Sequence, residues 1–275
     1  AGYGPSKRWP NERFARLATC FFLLAPNVLL YTATSMDAVF MVPMVWTVFL
    51  LWKARDRRPW LFGAAGGLAA AAAGMMTFSA AFLGLWAIAA LLVTALADRG
   101  KLRGMVLSLS AAAASCSLAY LALYGWSGYL LLDNLAAAWG GHHQIMSGGN
   151  YTTLRQYGHL VVGNLVVFFA STGIPLTVLF VGQTWRDLRG REGPSSGRWL
   201  NLSYVLALAA LVAAPLYTLE VERIWLFLVP LVAIPAARRL SGSATGDRPG
   251  PAVALTFFLL AVQVVVMEAL LNTTW

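Results

Sequence analysis

The stretch "LYTLEVERIWLFLVP" at 216–230 places two carboxylates and one arginine between two apolar runs. Glu220 and Arg223 are three residues apart, so they share a face if a helix begins there, and Glu222 lies between them. Arginine presents a fixed fork of donors that suits phosphate oxygens. One interpretation is a local ion pair whose long side chains reach the membrane interface. The interpretation that we favour is an anion-binding site, because a charged side chain within the membrane is costly and usually faces the bundle interior or a water-filled cavity.

Asp37 is a second carboxylate with two interpretations. In "YTATSMDAVF" it opens an apolar run directly after a tight turn. Acidic residues stabilise helix N-termini, because they complement the free amides and the positive end of the helix dipole. A carboxylate at the mouth of a pocket could instead act as a general base, or bind a sugar or a metal. The sequence leaves both roles open.

A polar segment at 125–159 carries Asp133, His142 and His143 as further candidates for an acceptor site. The two histidines are adjacent, so on a helix they would not face the same way. This argues against a metal site built from both, although one of them could bind a divalent cation while the other is solvated. Asp133 is most simply an interfacial polar group.

The composition indicates a membrane protein. The chain is 59% hydrophobic and 11% charged, with a mean hydropathy of +0.67, whereas soluble domains carry about 25% charged residues. Cys20 and Cys116 lie inside apolar runs, so neither a disulfide framework nor a metal knuckle is predicted. The net charge of +9 comes without a basic helix or an aromatic–basic surface, which excludes nucleic acid as a partner.

Apolar runs predict nine spans, since a span needs roughly 20 apolar residues and must be helical in lipid. They are 14–33, 38–52, 60–77, 79–97, 104–124, 160–184, 200–217, 224–237 and 252–271. "TFSA" alone separates the third span from the fourth, as in a broken hairpin. The third, "LFGAAGGLAAAAAGMM", has Gly63 and Gly67 at a spacing that lets helix backbones approach closely. The fold class is therefore an all-α, polytopic transmembrane bundle, with residues 1–275 forming one domain.

Basic residues give this bundle an orientation, because short cytoplasmic loops are rich in Lys and Arg. Nine spans with the N-terminus inside place eighteen of the twenty Lys and Arg on one face and leave Arg155 and Arg223 on the other. The longest loop, 125–159, is then extracytoplasmic, and its first half is predicted to form an interfacial helix. Asp37, Asp133, the histidines and the "EVER" charges share this outer face, which we therefore predict to be the functional one.

Three features together resemble the GT-C superfamily of integral-membrane glycosyltransferases: the turn around "APNVLLYTATSMDAVF", the long outer loop, and "ERIWLF" at the outer start of a late helix. Protein mannosyltransferases and the aminoarabinose and arabinofuranosyl transferases belong to this group, and the "EVERIW" form is most similar to actinobacterial members. The resemblance implies an enzyme of the bacterial plasma membrane. Its donor would be a polyprenyl-phosphate sugar, and its acceptor would be an extracytoplasmic glycan, lipid or protein. The resemblance implies no definite cofactor, and a divalent cation is the one candidate.

The chain departs from the family at its start. The family's catalytic acid lies in the first outer loop, whereas this chain begins with "AGYGPSKRWPNERF", which matches the basic segment before roughly the family's third span. The resemblance therefore predicts that two helices and the catalytic loop precede Ala1. Only two residues carry over: Asp37 matches an acidic position after the family's third span, and Arg223 matches the late basic residue.

The resemblance implies inverting sugar transfer, with Arg223 holding the donor phosphate, Glu220 beside it, and Asp37 as the candidate catalytic carboxylate. Two alternatives remain. A transporter or flippase would also be polytopic and basic inside, although such proteins often show internal repeats and broken helices near the midplane, and no repeat is visible here. A non-catalytic membrane subunit is the other alternative.

Overall fold

The computed structural model describes residues 12–148, 153–190, 195–214, 220–241 and 250–271, with the backbone alone over 142–148 and at 271. Within these residues every regular element is helical. The α-helices are α1 (Glu12–Leu23), α2 (Pro26–Tyr31), α3 (Asp37–Ala54), α4 (Pro59–Met76), α5 (Ala81–Ala97), α6 (Leu102–Ser127), α7 (Leu131–Gly148), α8 (Leu154–Thr172), α9 (Ile174–Leu188), α10 (Ser196–Ala213), α11 (Val221–Ile224), α12 (Val229–Ser241) and α13 (Pro251–Leu271). A 3₁₀ turn at Trp225–Leu228 joins α11 to α12.

The described part of the chain holds seven helices that are long and apolar enough to cross a membrane, or eight if one bent pair counts as a span. This confirms the all-α fold class, with several helices able to span a membrane. Two of the nine predicted spans are not continuous helices. The span predicted at 14–33 divides into α1 and α2, and Pro26 is the first residue of α2, a position at which the missing N–H of proline leaves no helical hydrogen bond unmade. The span predicted at 160–184 divides at Gly173, where α8 and α9 meet at a bend of 111°.

Small residues bring α4 against α6, so the close packing predicted for this span is present and its partner is α6. A Cβ added at Gly67 would lie 2.1 Å from the Ala112 carbonyl oxygen, and one at Gly63 would lie 2.4 Å from that of Ser108. The Ser115 hydroxyl donates across the interface to the Ala64 carbonyl at 2.8 Å. Gly63 and Gly67 therefore permit backbone contact of the kind that holds helices together in lipid.

A second group of helices forms the core beside this layer. The helix pairs α5–α10, α9–α12 and α1–α12 are in extensive contact. Large side chains with almost no exposure fill the space between them, among them Phe21, Trp86, Phe168, Tyr204 and Trp225. By contrast, α7 is largely exposed over 131–141. The predicted helix in the first half of the 125–159 loop is thus present, and it extends to Gly148.

Successive spans alternate in direction, so the chain has two distinct ends. Contacts between Arg55 and Ser196 and between Lys101 and Asp56 mark the first, which we call the basic end. The second, which we call the Asp37 end, holds Asp37 beside Arg223. Of the Lys and Arg residues that the structure describes, Arg155 and Arg223 alone belong to the Asp37 end. The charge segregation predicted from sequence is therefore built into the fold.

Candidate functional site

Asp37 begins α3 at the Asp37 end of the bundle. It is the first residue of the helix and does not act as the N-cap, which is Met36. The Ser35 hydroxyl donates to Asp37 Oδ2 and accepts from the Asp37 backbone N–H at 3.1 Å. A carboxylate in the first turn complements the helix dipole. This interaction orients the Asp37 side chain but leaves it able to pair with another helix.

That partner is Arg223 of α11. Its Nε lies 2.9 Å from Asp37 Oδ2, and its Nη2 donates to Glu220 Oε2 at 2.7 Å. The Nε contact has the distance of an ion pair but lacks hydrogen-bond geometry, since Nε has no hydrogen-bond acceptor in line. The fold thus joins residues 186 positions apart in sequence. The three residues first singled out for catalysis and phosphate binding form one cluster, which we call the Arg223 cluster.

The two carboxylates of the Arg223 cluster differ in freedom. The Asp37 side chain is 17% exposed, whereas that of Glu220 is 52% exposed. Glu220 also has a left-handed backbone, with φ of 59°, which is uncommon outside glycine and strained. Glu220 is therefore the carboxylate that solvent reaches more easily.

Asn27 of α2 binds the backbone beside Arg223, and it was not identified from the sequence. Its side chain is fully buried, and its Nδ2 donates to the Glu222 carbonyl oxygen at 3.2 Å. The Glu222 backbone is thus fixed to α2. A lone Asn after a proline in an apolar run, "APN", could have indicated a buried contact, but nothing in the sequence identifies its partner.

The remaining predicted site residues are not brought to the cluster. Asp133 is exposed on α7. His142 and His143 lie in the same helix, but their side chains fall outside the described residues. No group of three or more His, Cys, Asp or Glu residues suited to a metal occurs among those that the structure does describe.

A buried ionic cluster at the basic end was also missed. Arg238 donates to both oxygens of Asp187, at 3.0 and 3.2 Å, and Gln183 and Asn201 donate to the same carboxylate at 3.1 and 2.8 Å. Asp187 is fully buried. These contacts tie α9, α10 and α12 together. In sequence, Arg238 is indistinguishable from the basic residues that set topology.

The break between α8 and α9 has its own partner in α13. The side chain of Gln263 accepts from the Ile174 backbone N–H at 2.8 Å and donates to the Ala170 carbonyl oxygen at 2.6 Å. Both groups are freed because the helix is interrupted. The tripeptide "GIP" at 173–175 signals a break, but a single Gln in an apolar span does not show what it binds.

With all three side chains ionised, the Arg223 cluster carries one net negative charge. Arg223 cannot bind an anion strongly while both carboxylates neutralise it, so anion binding requires the release of one carboxylate. The local ion pair, one of the two interpretations above, is thus the resting arrangement. No protein family, curated protein or solved structure matches the chain, so the site is interpreted from its own geometry.

Proposed function

We propose that the protein is a GT-C-type glycosyltransferase, which moves a sugar from a polyprenyl-phosphate donor to an extracytoplasmic acceptor with inversion. The observation that carries the proposal is Arg223, held 2.9 Å from Asp37 and 2.7 Å from the exposed Glu220. This arrangement supports an arginine that exchanges one carboxylate for a phosphate. The setting would be a bacterial plasma membrane, with nine passes, the N-terminus inside and the Asp37 end outside.

The exchange has a physical order. Glu220 is the more exposed and more strained partner, so an incoming phosphate displaces it first. Arg223 then remains anchored by Asp37, and its terminal nitrogens face the phosphate. Two charge-assisted hydrogen bonds from one guanidinium are among the stronger polar contacts available to a protein. They would stabilise the charge that grows on the phosphate as the sugar departs.

A lipid-borne donor must reach this cluster from the bilayer. Met36, Val39 and Val42 of the α3 region are exposed apolar residues beside and below Asp37. A prenyl chain could lie against them while its phosphate contacts Arg223. The acceptor hydroxyl would approach from the aqueous side, where a carboxylate takes its proton, a step typically worth ~10²–10⁴-fold in rate. Asp37 is the candidate within this chain.

The test is sugar transfer by the full-length protein in liposomes, with a panel of radiolabelled polyprenyl-phosphate hexoses and pentoses. Released polyprenyl phosphate is the readout. We expect Arg223→Ala to lower transfer at least about tenfold at unchanged expression, a conservative bound beside the about 10²–10³-fold that loss of one preorganised donor costs in other enzymes. Arg155→Ala, which removes an exposed arginine of the same end, is the matched control. Unchanged turnover in Arg223→Ala removes the phosphate role.

Transport is the second candidate, and one observation favours it. Two interrupted helices meet in this chain, since a Cβ at Gly173 in the α8–α9 break would lie 3.3 Å from Pro26 Cδ at the start of α2. Discontinuous helices are typical of transporter binding sites. A transporter or flippase would move labelled lipid or solute across the liposome without acceptor, whereas the transferase needs both substrates. A non-catalytic subunit would do neither alone.

A further inference from the structure

A deep apolar groove runs along α3 on the side facing α5, α10 and α12, and we call it the α3 groove. It has a volume of about 640 Å³, and its walls include Trp46, Phe49, Trp52, Phe82, Phe227 and Ile234. Ligand pockets in proteins range over roughly 300–1,000 Å³. Along α3, its lining extends from Met44 to Asp56, which at 1.5 Å per residue is about 18 Å. This length matches roughly half of a 30 Å hydrocarbon core, so the groove is as long as one leaflet is thick.

The two ends of the groove differ in polarity. Lys53, Asp56 and Ser196 line it at the basic end, whereas Met44, Phe82 and Phe227 line it toward the Asp37 end. An amphipathic molecule therefore fits with its polar head at the basic end and its apolar chain pointing toward the membrane centre.

Lys53 gives the polar mouth a positive charge. Its ammonium lies 4.6 Å from the Phe62 ring centroid and 5.5 Å from that of Phe49. Among the residues that the structure describes, no carboxylate forms an ion pair with it. The nearby carboxylate of Asp56 is taken by Lys101, at 2.8 Å. The Lys53 charge is therefore available to an anion outside the protein.

Arg55 adds a second charge behind the wall of the groove. Its side chain is fully buried, its Nη2 donates to Ser196 Oγ at 2.9 Å, and its guanidinium lies 4.0 Å from the Trp52 ring centroid. Both contacts are to residues that line the groove. Nε and Nη1 of Arg55 have no hydrogen-bond acceptor, and Asp56 lies 3.8 Å away.

A buried charge without a close counter-charge is costly. Burial lowers the pKa of Arg55, and the carboxylates of Asp56 and Asp98 oppose this effect; the guanidinium nevertheless stays protonated in a protein. The N-terminus of α10 at Ser196 adds the positive end of a helix dipole at the same place. Three basic residues, Lys53, Arg55 and Lys101, face two acidic ones, Asp56 and Asp98, so the mouth of the groove has a net positive charge.

We propose that the α3 groove binds one phospholipid with an anionic headgroup, taken from the leaflet at the basic end. An acyl chain lies along the aromatic wall, and the headgroup phosphate contacts Lys53 and Ser196, where Arg55 supplies a buried positive charge. The groove's apolar length selects a lipid over a free anion, and its net charge selects an anionic over a zwitterionic headgroup. The proposal is independent of sugar transfer, because the mouth lies at the opposite end of the bundle from Arg223.

The experiment is native mass spectrometry of the purified full chain in detergent, titrated with dioleoyl phosphatidylglycerol or dioleoyl phosphatidylcholine, which share acyl chains and differ in charge. We expect phosphatidylglycerol to bind at least about tenfold more tightly, from two basic groups near one headgroup. Lys53→Gln is expected to reduce this preference about fivefold, the effect of one basic group. Arg57→Gln removes an exposed charge of the same end that does not line the groove, and is expected to change nothing.

A third variant tests the groove itself. Ile234→Trp places a larger side chain in the groove from a half-buried position, and we expect it to weaken the binding of both lipids. Thermal unfolding of this variant checks that the fold persists. Equal affinity for the two lipids overturns the proposal, as does an equal loss in Arg57→Gln and Lys53→Gln, which indicates general attraction to a basic surface. Competition by millimolar inorganic phosphate overturns the lipid assignment in favour of a free-anion site.

Discussion

At the scale of single residues, position within the membrane changes what an arginine does. Arg223 and Arg238 both occur next to apolar runs, and both pair with a distant carboxylate, Asp37 and Asp187 respectively. The Asp37–Arg223 pair is partly exposed, so water can replace either partner. The Asp187–Arg238 pair is almost completely buried and is bidentate. The first pair leaves Arg223 within reach of solvent, whereas the second, together with Asn201, holds three helices in place.

The buried pair leads to a stability prediction. Asp187→Asn keeps the size of the side chain but leaves Arg238 buried without its counter-charge, which typically costs about 3–5 kcal/mol. Thermal unfolding in detergent would measure the loss. Glu12→Gln, which breaks the exposed pair with Arg16, is the control and should leave the unfolding temperature unchanged. An Asp187→Asn protein with an unchanged unfolding temperature would contradict a supporting role for this pair.

At the scale of helices, the interface between α4 and α6 depends on the absence of side chains. Gly67 faces both the Ala112 carbonyl and the Ser115 hydroxyl at a distance too short for any Cβ. The Tyr120 hydroxyl adds a hydrogen bond to the Ala71 carbonyl at 3.2 Å. The helices are therefore held by backbone proximity and by polar contacts to the second lone pair of helix carbonyls, not by large apolar side chains.

Gly67→Leu should separate these two helices. Overfilling a close contact costs typically 1–3 kcal/mol and sometimes more, and here the obstacle is backbone that cannot rotate away. We expect a lower unfolding temperature and a smaller monodisperse fraction in gel filtration. Gly84→Leu introduces the same side chain on α5, where a Cβ meets no atom within 4 Å, and should behave like wild type. If the two variants were equally stable, α4 and α6 would not be in contact.

Much of the helical framework could be predicted from the sequence, because apolar length and proline placement are local signals. The separation of α4 from α5 at "TFSA" and the Gly63–Gly67 face are examples. The interactions between helices could not be predicted. Gln263 lies 89 residues from Ile174, whose N–H it accepts from, and no periodicity relates them. The same holds for Asp37 and Arg223: their residue types indicated chemistry, but only the fold joins them.

At the scale of the whole molecule, the division of charge between two ends is the feature with the widest consequence. The basic end holds the Lys101–Asp56 ion pair, the Arg55–Ser196 hydrogen bond and the Asp187–Arg238 ion pair, whereas the Asp37 end holds the Arg223 cluster. Because short cytoplasmic loops are rich in Lys and Arg, we expect the basic end to lie on the cytoplasmic side. The orientation therefore decides which compartment the Arg223 cluster faces.

Cysteine labelling tests this orientation. In a background with Cys20→Ser and Cys116→Ser, Arg155→Cys and Arg57→Cys place one exposed thiol at each end. A membrane-impermeant maleimide should label Arg155→Cys in intact cells and Arg57→Cys only after permeabilisation. Labelling of both in permeabilised cells is the control for reactivity. The reverse pattern in intact cells would place the Arg223 cluster in the cytoplasm and exclude an extracytoplasmic transferase.

The glycine- and alanine-rich surface of α4 also bears on how the chain is made. Its mean hydropathy of 1.3 is well below the 2.3 of α5, because small side chains add little to the free energy of entering lipid. When α4 leaves the ribosome, α3 is already available to cover it, but α6 follows only after about 25 residues, which take on the order of seconds to synthesise. During that interval α4 has one neighbour instead of two. Its retention in the bilayer during synthesis therefore depends on α3. Mutations on the face of α3 that contacts α4 would lower the amount of inserted protein more than they lower the stability of the protein that has folded.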